Sequence, residues 1–186
     1  MKLRMMLVAV LLLSGCTSAG QLKSNAGNPS ENESVFVIGV TPENYRISVW
    51  PGGIKDGHFY KSSLRNAALY SAAEGGYVVG RAKAGDVLGI TNARIVSGEN
   101  SILGLDYVPC GDTLVFKVPP GQVIYLGNIA FSSNGKTVNA LVSNDVNAAA
   151  HHMADAFPSI TRTIVKTPFM HLPSTGCSSS TKGDIQ

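Results

Sequence analysis

"DTLVFKVPPGQVIYLGNIAFSSNGKTVNALVS", residues 112–143, carries most of the fold information in this chain. Leu114, Phe116 and Val118 alternate with Thr113, Val115 and Lys117, the period of a strand with one buried face. Pro120-Gly121 suits the central pair of a type II turn, and Asn134-Gly135 suits the type I′ turn of a hairpin, because glycine tolerates positive φ. The stretch therefore reads as an antiparallel meander of three strands.

Working outward, "SVFVIGV" (34–40) and "NYRISVW" (44–50) are β-branched and aromatic, separated by "TPE" and closed by Pro51-Gly52-Gly53. "GYVVGRA" (76–82) and "DVLGITNARIV" (86–96) follow the same pattern, with the turn "KAGD" joining them. One segment is helical in period. In "NDVNAAAHHMADAF" (144–157), Val146, Ala149, Ala150, Met153 and Phe157 make a single apolar stripe. Asn144 supplies a cap, Asp145 favours the positive helix end and Pro158 stops the helix. "SLRNAALYSAAE" (63–74) is a second, weaker short-helix candidate, and "ITRTIVK" (160–166) is a candidate last strand. Short strands, Gly and Pro punctuation and no βαβ alternation predict a mainly β domain, an antiparallel β-sandwich or partly open barrel with one short helix near the C-terminal end. From about residue 82 to 157, through "FKVPPGQVIYLGNIAF" and "NDVNAAAHHMADAFP", the chain is similar to small bacterial lipoproteins of unknown function. That resemblance implies a β-sandwich and transfers no catalytic residues.

The amino-terminal segment concerns location rather than fold. Lys2 and Arg4 precede nine unbroken apolar residues, Met5 to Leu13. A helix needs about twenty to cross a bilayer core. A positive start, a short apolar run and small residues form the pattern of a signal peptide, here 1–15. Leu13-Ser14-Gly15-Cys16 resembles the lipobox of bacterial lipoproteins at every position. The resemblance implies that Cys16 is the lipidation site, thioether-linked to diacylglycerol and N-acylated (palmitate or a similar chain) once the preceding peptide is removed. Several acyl chains, at about 0.8 kcal/mol per buried CH₂, anchor persistently where one chain would exchange. By the same resemblance, Thr17 follows the cysteine where an inner-membrane retention signal would have Asp, which implies the periplasmic side of the outer membrane as the expected location, with inner-membrane retention as the alternative. An ordinary signal peptide with an incidental cysteine is the competing reading.

With Cys16 assigned to lipid, Cys110 and Cys177 are left as the one internal pair, and an oxidising periplasm would join them; two separate reduced thiols are the alternative. Removing the signal lowers the formal charge from +3 to +1, and no basic run or basic-aromatic stripe remains, so nucleic acid is not an expected partner. Residues 16–33, rich in Ser, Asn and Gly, read as a lipidated flexible tether, 34–177 as the single domain and 178–186 as a disordered tail.

Three groups of side chains invite chemistry. His151, His152 and Met153, with Met170 and His171, combine imidazole and thioether donors that suit Cu(I) in an exported protein. Adjacent helical histidines diverge by about 100° and cannot chelate one ion together, and Met153 falls on the apolar stripe. His151 and Asp155 would meet at i and i+4, without the cleft and nucleophile a general base needs. Trp50, Tyr45, Phe59 and Tyr60 are aromatic candidates for contact with a partner, or for closing the core. The expected function is that of a lipid-anchored envelope lipoprotein acting as a structural or protein-binding module toward another envelope protein or a cell-wall component. No enzymatic activity is expected, and no cofactor beyond the covalent lipid. The alternatives are a copper-binding protein and an envelope hydrolase with a site assembled from distant residues.

Overall fold

Strand β1 (Glu33–Thr41) is buried along nearly its whole length, on both faces, and the architecture follows from what covers each one. The structure is a computed structural model that describes residues 20–96, 106–109, 111–134 and 138–175. Among these, the chain continues through β2 (Tyr45–Lys55), β3 (His58–Lys61), β4 (Leu69–Ala72), β5 (Tyr77–Lys83), β6 (Val87–Ile95), β7 (Asp106–Tyr107) and β8 (Thr113–Lys117). After these come β9 (Val123–Ser133), β10 (Val138–Ser143), helix α1 (Val146–Ala156), β11 (Ile164–Lys166) and β12 (Met170–Leu172). One sheet has the order β10-β9-β1-β5, with β11 also on β9; the other runs β12-β8-β6-β2-β3, with β4 on β2 and β7 on β6.

The sheets pack face to face around Phe36, Leu126, Ile129 and Phe131 from the first and Tyr45, Ile47, Leu88, Ile90 and Phe116 from the second. Phe36 meets Phe116 at a ring separation of 5.4 Å, and Tyr45 stacks on Phe131 at 4.9 Å. Val35, Val37, Val79, Val123 and Tyr125 point away from that core, and α1 covers them with Ala149, Met153 and Phe157. The protein is thus mainly β, a two-sheet sandwich with one sheet curled into a half-barrel and one helix near the C-terminal end.

The meander of residues 112–143 is corrected in its first half. β9 and β10 form the hairpin, but β8 and β9 lie in different sheets, and Pro119-Pro120-Gly121 carries the chain across the sandwich. Gly121 has φ +64°, as the turn requires. Ser34 fastens the crossover, its Oγ donating to Pro119 O at 2.6 Å and accepting from Gln122 N at 2.9 Å. The pairing is not wholly antiparallel either, since β9 lies parallel to β1 and to β11. Nor does β9 alternate simply. Ile124 and Leu126 face the shared core, and so do Ile129 and Phe131, because a bulge opposite Val37/Ile38, with Gly127 at φ +131°, resets the parity.

The helix expected at 63–74 is absent: the segment bends through 63–65 and then forms strand β4. Its expected stripe is split, as Leu64 is 96% exposed while Ala68 packs against the core and Leu69 enters it in strand alternation. β2 does not close at Pro51-Gly52-Gly53 but continues to Lys55 and pairs with β3. Past β12, the chain returns to β3, where Phe59 N donates to Pro173 O at 2.8 Å and Thr175 N to Phe59 O at 3.1 Å. That return curls the second sheet. The Phe59 ring lies over Gly52 and Gly89, on the face opposite Leu88 and Ile90, and is fully buried there.

α1 starts one residue later than expected: Asp145, not Asn144, is the cap and accepts from Ala148 N at 3.0 Å. Asp145 N in turn donates to the hydroxyl of buried Tyr125 at 2.9 Å, fixing the helix on the sheet. His152 stacks on Tyr77 at 4.5 Å and meets Phe157 edge-on. Burial lowers the His152 pKa from its ordinary 6.5, against the opposing pull of Asp155 and Glu74. The fold therefore favours neutral imidazole, and the unfolded chain takes up the proton first. Stability from this group is complete above the ordinary value and falls as pH drops through it toward the lower folded value. We expect the melting temperature to decline as pH falls through the ordinary value of 6.5, and His152→Gln to flatten that decline; a wild-type curve flat across that value would contradict the assignment.

Residues 16–33 are corrected for their described part: from Gln21 onward the segment is bound to the domain. Leu22 N donates to Val79 O at 2.8 Å, Gln21 Oε1 accepts from Val79 N, and Gln21 Nε2 reaches Tyr77 O at 2.9 Å. Leu22 packs on the α1-side core. Farther on, Asn28 Oδ1 accepts from Thr161 N and Arg162 N, at 2.9 and 3.1 Å, and Arg81 donates to Gly27 O. A sequence poor in apolar side chains is held here by the unpaired backbone groups of an edge strand, which composition does not register.

Candidate functional site

The sequence-predicted residues fall into separate places. His151 is exposed on α1, His152 stacks on Tyr77 and Met153 is core, all on the outer side of the first sheet. Met170 and His171 lie on β12, in the second sheet. The five do not converge, and no group of three or more His, Cys, Asp or Glu among the described residues is placed to hold a metal ion. Tyr45 and Phe59 are buried and serve the interior rather than a partner. Tyr60 is exposed, and Trp50 is half-buried beneath the Lys61 ammonium, 3.7 Å from the ring centroid. Cys16, Cys110 and Cys177 lie outside the described residues.

Two concavities stand out among the described residues, and neither was foreseen. The larger is a groove of about 960 Å³ between the bound leader and the bend at 63–68. Its walls carry Lys23, Arg65 and Lys83, with Leu64 standing free at the rim. Arg65 grips Asp86 through two hydrogen bonds of 2.9 and 2.7 Å, and Arg81 pairs with Glu33 at 2.7 Å. These bonds fix the walls, while the lysines bring a positive edge.

The smaller is a cleft of about 350 Å³ where β7, the start of β8, β10 and β12 meet. β7 is held to β6 by Arg94, whose guanidinium binds both Asp106 oxygens at 2.6 and 2.8 Å and keeps that carboxyl below its ordinary pKa. This places Tyr107 edge-on against Phe131. The Tyr107 pKa is pushed up to about 12, first by burial and then by the charge of Asp112, so the hydroxyl keeps its proton. Pairing of His171 with Leu114 sets the imidazole beside Asp112, with Nδ1 2.9 Å from each carboxylate oxygen. Nδ1–H donates there, which leaves Nε2 for another partner. Leu114, Leu126, Leu141, Val142 and Phe169 supply apolar walls. No serine, threonine or cysteine is among the described residues lining the cleft.

Tyr107, Asp112 and His171 share no sequence spacing; Asp112 and His171 are 59 positions apart and meet only through strand pairing. Comparison with known proteins adds no relative: no family model matches the chain, and neither a curated protein nor a solved structure is similar to it.

Proposed function

We propose that this chain is a bacterial envelope lipoprotein, anchored through lipid on Cys16, whose folded domain is a non-catalytic binding module for another envelope protein. The observation that supports the module reading is the groove beside the bound leader, where an exposed leucine sits among lysines and ion-paired arginines. Leu64, 96% exposed beside fixed polar walls, offers an apolar side chain that a partner could cover within a polar surround. Since the leader is held from Gln21, five residue steps separate the domain from Cys16, about 17 Å fully extended. On this reading the groove works near the bilayer surface, facing partners that lie on it.

Two substitutions test the two halves separately. Cys16→Ser should stop lipid-dependent processing and move the protein out of the membrane fraction; normal maturation and co-sedimentation with lipid would refute the anchor. A photo-cross-linking residue in place of Leu64 should join the protein to a discrete envelope component in intact cells, and the same residue in place of Asp56 should not. Equal labelling at both positions would refute the groove as the contact surface.

A further inference from the structure

We propose that the cleft formed by Tyr107, Asp112, His171, Leu126, Leu141 and Phe169 is a binding site for a small neutral molecule with an apolar body and a single oxygen-bearing head. The Tyr107 residue is only 5% exposed, and its hydroxyl has no hydrogen-bond partner among the described groups. Buried hydroxyls are ordinarily satisfied, and Tyr107 is part of the lining of this cleft. It holds its proton, so it presents a donor to an oxygen of the guest.

The charge pattern narrows the class. Asp112 is the carboxylate that faces the site, and both its oxygens lie 2.9 Å from His171 Nδ1, so a cationic head would have to compete with the imidazole for it. The same carboxylate repels an anion. A neutral head remains, with its oxygen accepting from Tyr107. The rest of the wall is aliphatic or aromatic, which suits a hydrocarbon body, and about 350 Å³ stands at the small end of ligand-sized cavities. Leu141, 66% exposed on the outer strand β10, lines the cleft and adds apolar surface for a guest to cover.

The test uses the full mature chain and four probes of one shape: cyclohexanol, methylcyclohexane, cyclohexylammonium and cyclohexanecarboxylate. Titrations are followed through leucine methyl resonances in NMR spectra. Cyclohexanol should shift the Leu114, Leu126 and Leu141 methyls and bind about tenfold more tightly than methylcyclohexane, one hydrogen bond's worth. Both charged probes should bind more weakly than cyclohexanol. Tyr107→Phe should erase the alcohol's advantage while leaving methylcyclohexane affinity unchanged. Leu141→Trp, at an exposed position that leaves the core intact, should weaken every probe by partly filling the cleft. Silence of these methyls with all four probes, charged probes binding as well as the alcohol, or an undiminished preference for the alcohol in Tyr107→Phe would each overturn the proposal.

Discussion

Phe36→Ala is expected to remove about 3–5 kcal/mol of folding stability, a large share of the roughly 5–15 kcal/mol typical of a domain. Phe36 has no exposed surface and its ring spans from β1 to Phe116 on the facing sheet. It also lies over Gly80, where an added Cβ would come within 2.2 Å of Cζ, so the ring occupies space that its cross-strand neighbour leaves empty. Truncation opens a cavity between two hydrogen-bonded sheets that cannot collapse without breaking register. The check is equilibrium denaturation: the midpoint should fall with an unchanged slope against denaturant. A loss under about 1 kcal/mol would mean that the two sheets do not depend on this contact.

The second large effect separates two glycines beneath the same ring. The three atoms nearest a Cβ on Gly89 would all belong to the Phe59 ring, the closest at 2.7 Å, whereas a Cβ on Gly52 would meet the Tyr60 carbonyl at 2.2 Å as well as the ring. Overpacking costs about 1–3 kcal/mol, and more where backbone must move. Gly52→Ala should therefore destabilise more than Gly89→Ala. Adding Phe59→Leu should recover part of the loss for Gly89→Ala and little for Gly52→Ala. Equal rescue of both, measured in the same denaturation assay, would show that the Tyr60 carbonyl yields as readily as a side chain.

Strand positions and the principal helix were legible in the sequence because apolar period and turn residues act locally. The partners of those strands were not. A Pro-Gly turn has the same local chemistry whether it returns a strand beside its predecessor or sends it to the opposite sheet, and only the demand for two covered faces on β1 decides between them. β9 was readable as a strand, but not its reset at Gly127, since residues 123–133 show no single alternation to extrapolate. For the leader, composition spoke of disorder, while the deciding fact was an open strand edge about 57 positions away. The cleft was hidden for a related reason: His171 was visible as a candidate donor, but its partner Asp112 and the unpaired Tyr107 hydroxyl have meaning only after β7, β8 and β12 are in place.

The parallel match of β1 to β9 has a consequence during synthesis. Val35 must wait for Val123, nearly ninety residues later, and until then β1 has only β5 beside it and one raw edge. Closing so large a loop before any reward makes assembly slow and leaves a sticky, half-paired ribbon in the interim.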